Sequence, residues 1–312
     1  MHSSRLWART QRIIGPSMHK HTGVALALIS GVFFAIFPVV GRYATQYEVS
    51  KATQLGFRFL IGCLLVLPFV PRGAWRGFGM KQWVGFTAMG AMYVVQSIFY
   101  LMSVDRIPMA MTSILLYVYP AIVVVLSRIF LGEAITRVKV VALVMASIGA
   151  VLTIGAPGAV GDMSGVWMAL VTPTVYSAYI IIGAKVQRGV PATAAAATVM
   201  GAAAVLAFGL GGVAGIVAPD AKLLALQFDL PWQAWAALAA LGALCTAPPV
   251  LSFLAAVQRI GASRTSILST IELAATALFG AMLFGESLQL LQMIGGGMVA
   301  AAVVLIAREE RR

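Results

Sequence analysis

An all-α integral membrane protein, with ten transmembrane helices arranged as two inverted five-helix repeats, is predicted by three observations: an apolar composition, an internal duplication, and basic residues gathered on one side of the membrane. Hydrophobic residues make up 61% of the 312-residue chain and charged residues 10%, with a mean hydropathy of +0.94. A soluble globular domain carries about a quarter of its residues as charges, so the chain is polytopic. The duplication is read directly. Residues 106–135, RIPMAMTSILLYVYPAIVVVLSRIFLGEAI, and residues 259–288, RIGASRTSILSTIELAATALFGAMLFGESL, carry Arg, Ile, Thr-Ser-Ile-Leu, Ala and Gly-Glu in register. Residues 23–41 match 165–183, and Trp83, Gly90 and Ala91 match Trp235, Gly242 and Ala243. A repeat this long sets the unit of architecture.

Each span needs about 20 mainly apolar residues. Turn residues and charges divide the chain into ten such segments, at 22–43, 52–70, 82–104, 108–131, 137–156, 163–185, 191–217, 232–256, 262–284 and 287–307. The first follows a basic tail without a small-residue cleavage site and pairs with the sixth, so it is expected to belong to the fold and not to be a cleaved signal. The domain plan is then a basic tail at 1–21, a first repeat at 22–156, a second at 163–307 and a short tail at 308–312. The longer 217–231 connection absorbs the small change of offset between the copies. Met1 and Met18 both remain open as the natural start.

Charge predicts orientation. With the amino terminus in the cytoplasm, sixteen Lys and Arg fall in cytoplasmic segments and four, Arg42, Lys51, Arg106 and Lys222, in outer ones. Basic residues beside short loops set topology, so both termini are expected to be cytoplasmic. The formal net charge of +12 then matches anionic leaflet lipid and needs no nucleic-acid partner.

Five spans per repeat is an odd number, so the second copy crosses in the opposite direction. Inverted repeats are a recurrent plan of secondary transporters, in which two halves meet at a midplane site and expose it alternately. The alternative at this point is a duplicated structural or scaffolding membrane protein.

The run from Arg106 to Glu133, with its small residues, Pro120 inside an apolar helix and the closing Leu131-Gly132-Glu133, resembles the signature of EamA-type members of the drug/metabolite transporter superfamily. The second copy, ending Phe284-Gly285-Glu286, resembles it again, and the likeness extends from about residue 22 to 307. The resemblance implies ten helices, two EamA repeats and export or exchange of small metabolites, often amino acids or related compounds, across a bacterial inner membrane. Members usually carry Pro where this chain has Leu273, so a straighter ninth helix is expected.

Glu272 is the leading site candidate. It lies about ten residues into its span, near the bilayer centre at about 1.5 Å per residue, where a carboxylate costs on the order of 3 kcal/mol. Thr265, Ser269 and Thr276 share its face at helical spacing. Two roles are open to it: a coupling group or counter-charge for an amine, and a structural carboxyl. At the mirrored position stands Tyr119, with Tyr117 nearby. Tyr93, Gln96 and Tyr100 form a stripe on the third span and Thr172, Tyr176 and Tyr179 one on the sixth. A cavity lined by Glu272, Tyr119, Tyr93, Gln96, Tyr176 and Ser269 would suit an amphipathic metabolite; tyrosines at helix interfaces are the competing reading. Arg58, about 9 Å from the outer end of the second span, has Met200 at its mirrored position. It is a candidate for a substrate carboxylate, or a snorkelling side chain. Pro38, Pro120, Pro173 and the pair Pro248 and Pro249 remove backbone donors within spans and are candidate hinges. Glu133 and Glu286 are expected to be fold determinants, each accepting from N–H groups at the start of the next helix.

Several chemistries are disfavoured. The three histidines all lie in the tail, Cys63 and Cys245 stand in separate spans without a CxxC, and no Walker Gly-Lys-Ser/Thr loop occurs. No metal site, cofactor, catalytic constellation or built-in ATPase is expected. The reading is therefore a secondary transporter, not an enzyme, with a small-molecule cargo and the lipid bilayer as partners, acting as monomer or homodimer. It is expected to export by alternating access, coupled to protons or to exchange. The alternatives are lipophilic-cation multidrug efflux and, from another class, a membrane enzyme or lipid-handling subunit.

Overall fold

The structure, a computed structural model, describes residues 16–154, 162–217, 225–284 and 289–309. All regular structure among the described residues is helical. The helices are α1 (Pro16–Ala35), α2 (Phe37–Thr45), α3 (Lys51–Val66), α4 (Met80–Val104), α5 (Met109–Leu116), α6 (Tyr119–Phe130), α7 (Arg137–Ile154), α8 (Met163–Val186), α9 (Ala192–Val217), α10 (Trp232–Ala243), α11 (Ala247–Ile260), α12 (Ala262–Leu268), α13 (Ile271–Phe284) and α14 (Leu290–Glu309). They compose ten helices long and apolar enough to cross a membrane, within a few residues of the expected spans. Span 1 is α1 with α2, span 2 is α3 with a 3₁₀ turn at Leu67–Phe69, span 4 is α5 with α6, span 8 is α10 with α11, span 9 is α12 with α13, and the other five are single helices.

Local chemistry sets several ends. The Ser50 hydroxyl accepts from the Thr53 N–H at the start of α3, and the Asp162 carboxylate accepts from the Ser164 N–H at the start of α8, which satisfies donors that the first turn leaves open. Hydrogen bonds from Ser164 hold the Asp162 carboxyl below its usual range. Proline opens α2, α6 and α11, where its missing N–H costs nothing.

The packing repeats the duplication. Spans 5 and 10, 2 and 7, and 4 and 9 pair with their own counterparts; the 3–6 contact is mirrored by 8–1, the 3–7 contact by 8–2 and the 4–6 contact by 9–1. Spans 5 and 10 approach closely through Gly149 and Gly295, where an added Cβ would lie 2.7 Å and 2.6 Å from the opposing glycine's carbonyl oxygen. Such small-residue contacts replace the hydrophobic driving force that lipid removes.

Two expectations are corrected. Span 9 is not straighter for lacking Pro at 273: it breaks between α12 and α13, at Ser269–Thr270. Hydroxyls take the place of a proline, with Ser269 Oγ donating to Thr265 O at 2.9 Å and Thr270 Oγ1 to Ile267 O at 2.7 Å. The backbone tightens there to i→i−3 bonds, Thr270 to Ile267, Glu272 to Ser269 and Leu273 to Thr270. Nor does Glu133 bond the start of the next helix. Its carboxylate accepts from the Ala262 N–H at 2.8 Å and the Ser263 N–H at 3.3 Å, in the other repeat. Glu286 lies outside the described residues.

Candidate functional site

The breaks of spans 4 and 9 fall in the same register of the repeat and cross near the middle of the bundle. Span 4 tightens at Val118, whose N–H donates to Leu115 O, and restarts at Tyr119–Pro120. Span 9 restarts at Ile271, which puts Glu272 in the first turn of α13. A half-helix amino terminus favours negative charge, so the break itself makes this depth less costly for a carboxylate. Tyr117, Tyr93, Tyr100, Tyr119 and Tyr176 all lie within electrostatic reach of the Glu272 carboxyl, Tyr117 from across the crossing. Glu272 is half-buried, not sealed.

The rings form one chain. Tyr117 and Tyr119 lie 6.2 Å apart, Tyr119 meets Tyr176 edge-on at 5.0 Å, Tyr176 stacks on Tyr179 at 5.7 Å, and Tyr179 meets Tyr93 at 5.5 Å. Phe253 of α11 closes on Tyr176 at 6.2 Å. The Tyr119 hydroxyl donates to Ser266 O at 3.3 Å, and Ser177 Oγ donates to Tyr119 O at 3.3 Å, so Tyr119 ties span 4 to both span 9 and span 6.

Arg58 ends the chain. It is 6% exposed and does not snorkel. Its Nε donates to Thr246 Oγ1 at 2.8 Å and its terminal nitrogen to the Tyr93 hydroxyl at 3.4 Å. The guanidinium lies over the rings of Phe37 at 4.7 Å and Phe59 at 5.2 Å, contacts that a planar, weakly hydrated cation favours. No described carboxylate forms an ion pair with it. A buried charge normally has a counter-charge, so Arg58 is equipped to take an anionic group.

The remaining candidates divide. Gln96 is half-buried and its amide donates to the neighbouring Ser97 hydroxyl at 3.4 Å. Ser269 is 3% exposed and its hydroxyl is spent on its own helix. Pro38, Pro120 and Pro248 stand at helix breaks, whereas Pro173 lies within the uninterrupted α8. Thr246 was missed by sequence reasoning. Its signal was the prolines that follow: the break they impose turns Thr246 to φ −132° and lets its hydroxyl reach Leu241 O and Arg58. Among the described residues no group of His, Cys, Asp and Glu is gathered to hold a metal ion.

Comparison with known proteins identifies this architecture. The family model of the EamA-like transporter family matches residues 21–155 and 163–308. The chain belongs to that family. Among curated relatives of this EamA-like chain is the uncharacterized transporter YcbK of Bacillus subtilis, 24% identical over 288 residues, covering 88% of this chain and 89% of the relative. An uncharacterized transporter of Archaeoglobus fulgidus is 26% identical over 287 residues, covering 92% and 97%. The pseudopaline exporter CntI of Pseudomonas aeruginosa is 29% identical over 135 residues, covering 43% and 46%. A solved crystal structure matches with a TM-score of 0.76 at 18% identity over 92% of this chain and 98% of that one, a likeness that shows the fold alone.

Proposed function

We propose that this EamA-like transporter is a secondary exporter of a small amphipathic metabolite carrying an amine and a carboxylate, an amino acid or related compound. It would sit in a bacterial inner membrane with both termini in the cytoplasm, as the one-sided basic residues favour. The observation that carries the reading is the bipolar tyrosine chain, with the Glu272 carboxyl at one end and the unpaired Arg58 guanidinium at the other. Tyr93 touches both fields. A zwitterion laid along the rings would supply each end with its missing partner, and the aromatic faces would cover its apolar part. Glu272 would either take up the amine or hand a proton between the two sides of the membrane. The partial similarity to a pseudopaline exporter supports export of a small metabolite.

Lipophilic-cation efflux has Glu272 and its tyrosines in its favour, but Arg58 would repel such a cargo. Purified protein in proteoliposomes, assayed for counterflow of labelled amino acids, their N- and O-blocked derivatives and quaternary amines with and without a pH gradient, separates the two. Faster flux of the zwitterion than of either blocked form is expected. Flux of quaternary amines alone would replace this reading by cation efflux, and indifference to every cargo and gradient would remove transport.

A further inference from the structure

Spans 4 and 9 cross at their breaks, and the two sides of that crossing differ. On the side that carries residues 130–137 and 259–264, α6 packs on α12; on the other side α5 and α13 pack on different neighbours and make no comparable contact with each other. The pair is shut at the face rich in basic residues and splayed at the opposite face.

The shut side is pinned by one carboxylate. Glu133, just beyond α6, receives the Ala262 and Ser263 N–H groups at 2.8 and 3.3 Å, and Lys139 Nζ stands 3.5 Å from Oε2, the oxygen that accepts from Ser263. The receiving turn is shaped for it. Gly261 has φ +84°, and a Cβ there would lie 2.8 Å from Glu133 Oε1, so only glycine gives both the left-handed turn and the room. A charge-assisted pair of hydrogen bonds of this kind is stronger than a neutral one, and it joins the first repeat to the second.

A second observation marks the same seam as one that parts. Ser127 Oγ, on α6 and 0% exposed, and both amide atoms of Gln187, 2% exposed, have no hydrogen-bond partner. Ser127 is bound to the Glu133 corner, since its carbonyl accepts the Glu133 N–H at 3.2 Å. The Gln187 carbonyl accepts from Gln258 at 3.3 Å, three residues before Gly261. Polar atoms buried without partners are costly, and water would satisfy them when the seam opens. We propose that Glu133 is the latch of a gate at the basic face, that the structure is the state shut at that face, and that release of Glu133 from the Ala262–Ser263 turn opens the inner half of the path past Ser127.

The gate is read without any cargo, so its failure is distinct from failure of the transport reading. In protein carrying Cys63→Ala and Cys245→Ala, a Ser127→Cys reporter is labelled by membrane-impermeant maleimide applied to the basic face, and a Thr276→Cys reporter on α13 from the opposite face. Glu133→Ala is expected to raise the Ser127→Cys rate roughly tenfold, equivalent to about 1.4 kcal/mol, and to lower the Thr276→Cys rate as the population shifts. Gly261→Ala, breaking the seam from the other repeat, should act in the same direction. Glu133→Gln, which keeps the size and one acceptor oxygen, should give a smaller change of the same signs, and it decides the matter if the alanine variants do not elute as folded protein. Unchanged rates at both reporters, or a rise at both, would overturn the latch.

Discussion

Span 4 and span 9 break at equivalent points of the repeat, yet they reach that break by different chemistry and present different groups at it. Span 4 uses Tyr119–Pro120; span 9 uses Ser269 and Thr270, whose hydroxyls bond their own carbonyls ahead of Glu272–Leu273. A backbone feature kept while its means change belongs to the architecture. The side chains that differ, a phenol in one copy and a carboxyl in the other, belong to whatever the two copies do unequally. The same division recurs at Arg58 and its mirror Met200, which is 0% exposed in the core. At the tyrosine chain each repeat thus places a charged group that its twin lacks there.

The largest test of this asymmetry is to remove the charge from span 9. Glu272→Gln keeps the volume and a polar head beside Tyr117 but can neither ionise nor release a proton. Charged hydrogen bonds of about 1.5–3 kcal/mol convert to a loss of about 100-fold in zwitterion counterflow. Transport at the parental rate, with parental pH dependence, would return Glu272 to a structural role.

Arg58→Met removes the other end. The expected loss is about 30-fold for a cargo bearing a free carboxylate and little for the same cargo esterified. An equal loss for both would mean that Arg58 supports Thr246 and Tyr93 and does not meet the cargo. Tyr119→Phe, third in size, deletes only the 3.3 Å bond to Ser266 O and should cost about threefold, in line with about 0.5–1 kcal/mol for a neutral hydrogen bond. Flux through the variant measures how far Tyr119 acts as a strut between the repeats.

Much of the fold was legible because a bilayer leaves the backbone few choices. Apolar segments of about 20 residues, ended by charges and turns, gave spans within a few residues of those observed, and the odd count per repeat is what makes an inverted second copy the expectation. That Glu272, Tyr119, Tyr93 and Tyr176 would lie near one another was legible for a related reason: polar groups at membrane depth are conspicuous in so apolar a sequence. Gln96 was read from the same stripe and depth as Tyr93, and Ser269 from its spacing to Glu272; neither signal reveals that a neighbour or the helix's own carbonyl already bonds the group. Thr246 and the destination of Glu133 were not legible. Both act across about 130 to 190 residues of sequence, from Glu133 to Ala262 and from Arg58 to Thr246, and neither pairing leaves a local pattern. The family resemblance misled at one point, since the proline usual in members makes its absence at Leu273 look like a straight helix.

That point supplies the smallest and most pointed prediction. If the break belongs to the architecture, putting proline into span 9 should be nearly tolerated. Leu273 is the third residue of α13, and its N–H donates only to Thr270 O, at 3.0 Å. First-turn positions accept proline because their donors are spare, so Leu273→Pro should cost about 1 kcal/mol for that bond together with the packing of a side chain that is 7% exposed. A small fall in melting temperature with flux retained is expected. The same substitution at Ala275, two residues further on, would strike the α13 interior at about 3 kcal/mol or more. Should Leu273→Pro unfold the protein as Ala275→Pro does, the two breaks are not equivalent, and the hydroxyl-built one depends on a continuous α13 that the proline-built one does not need.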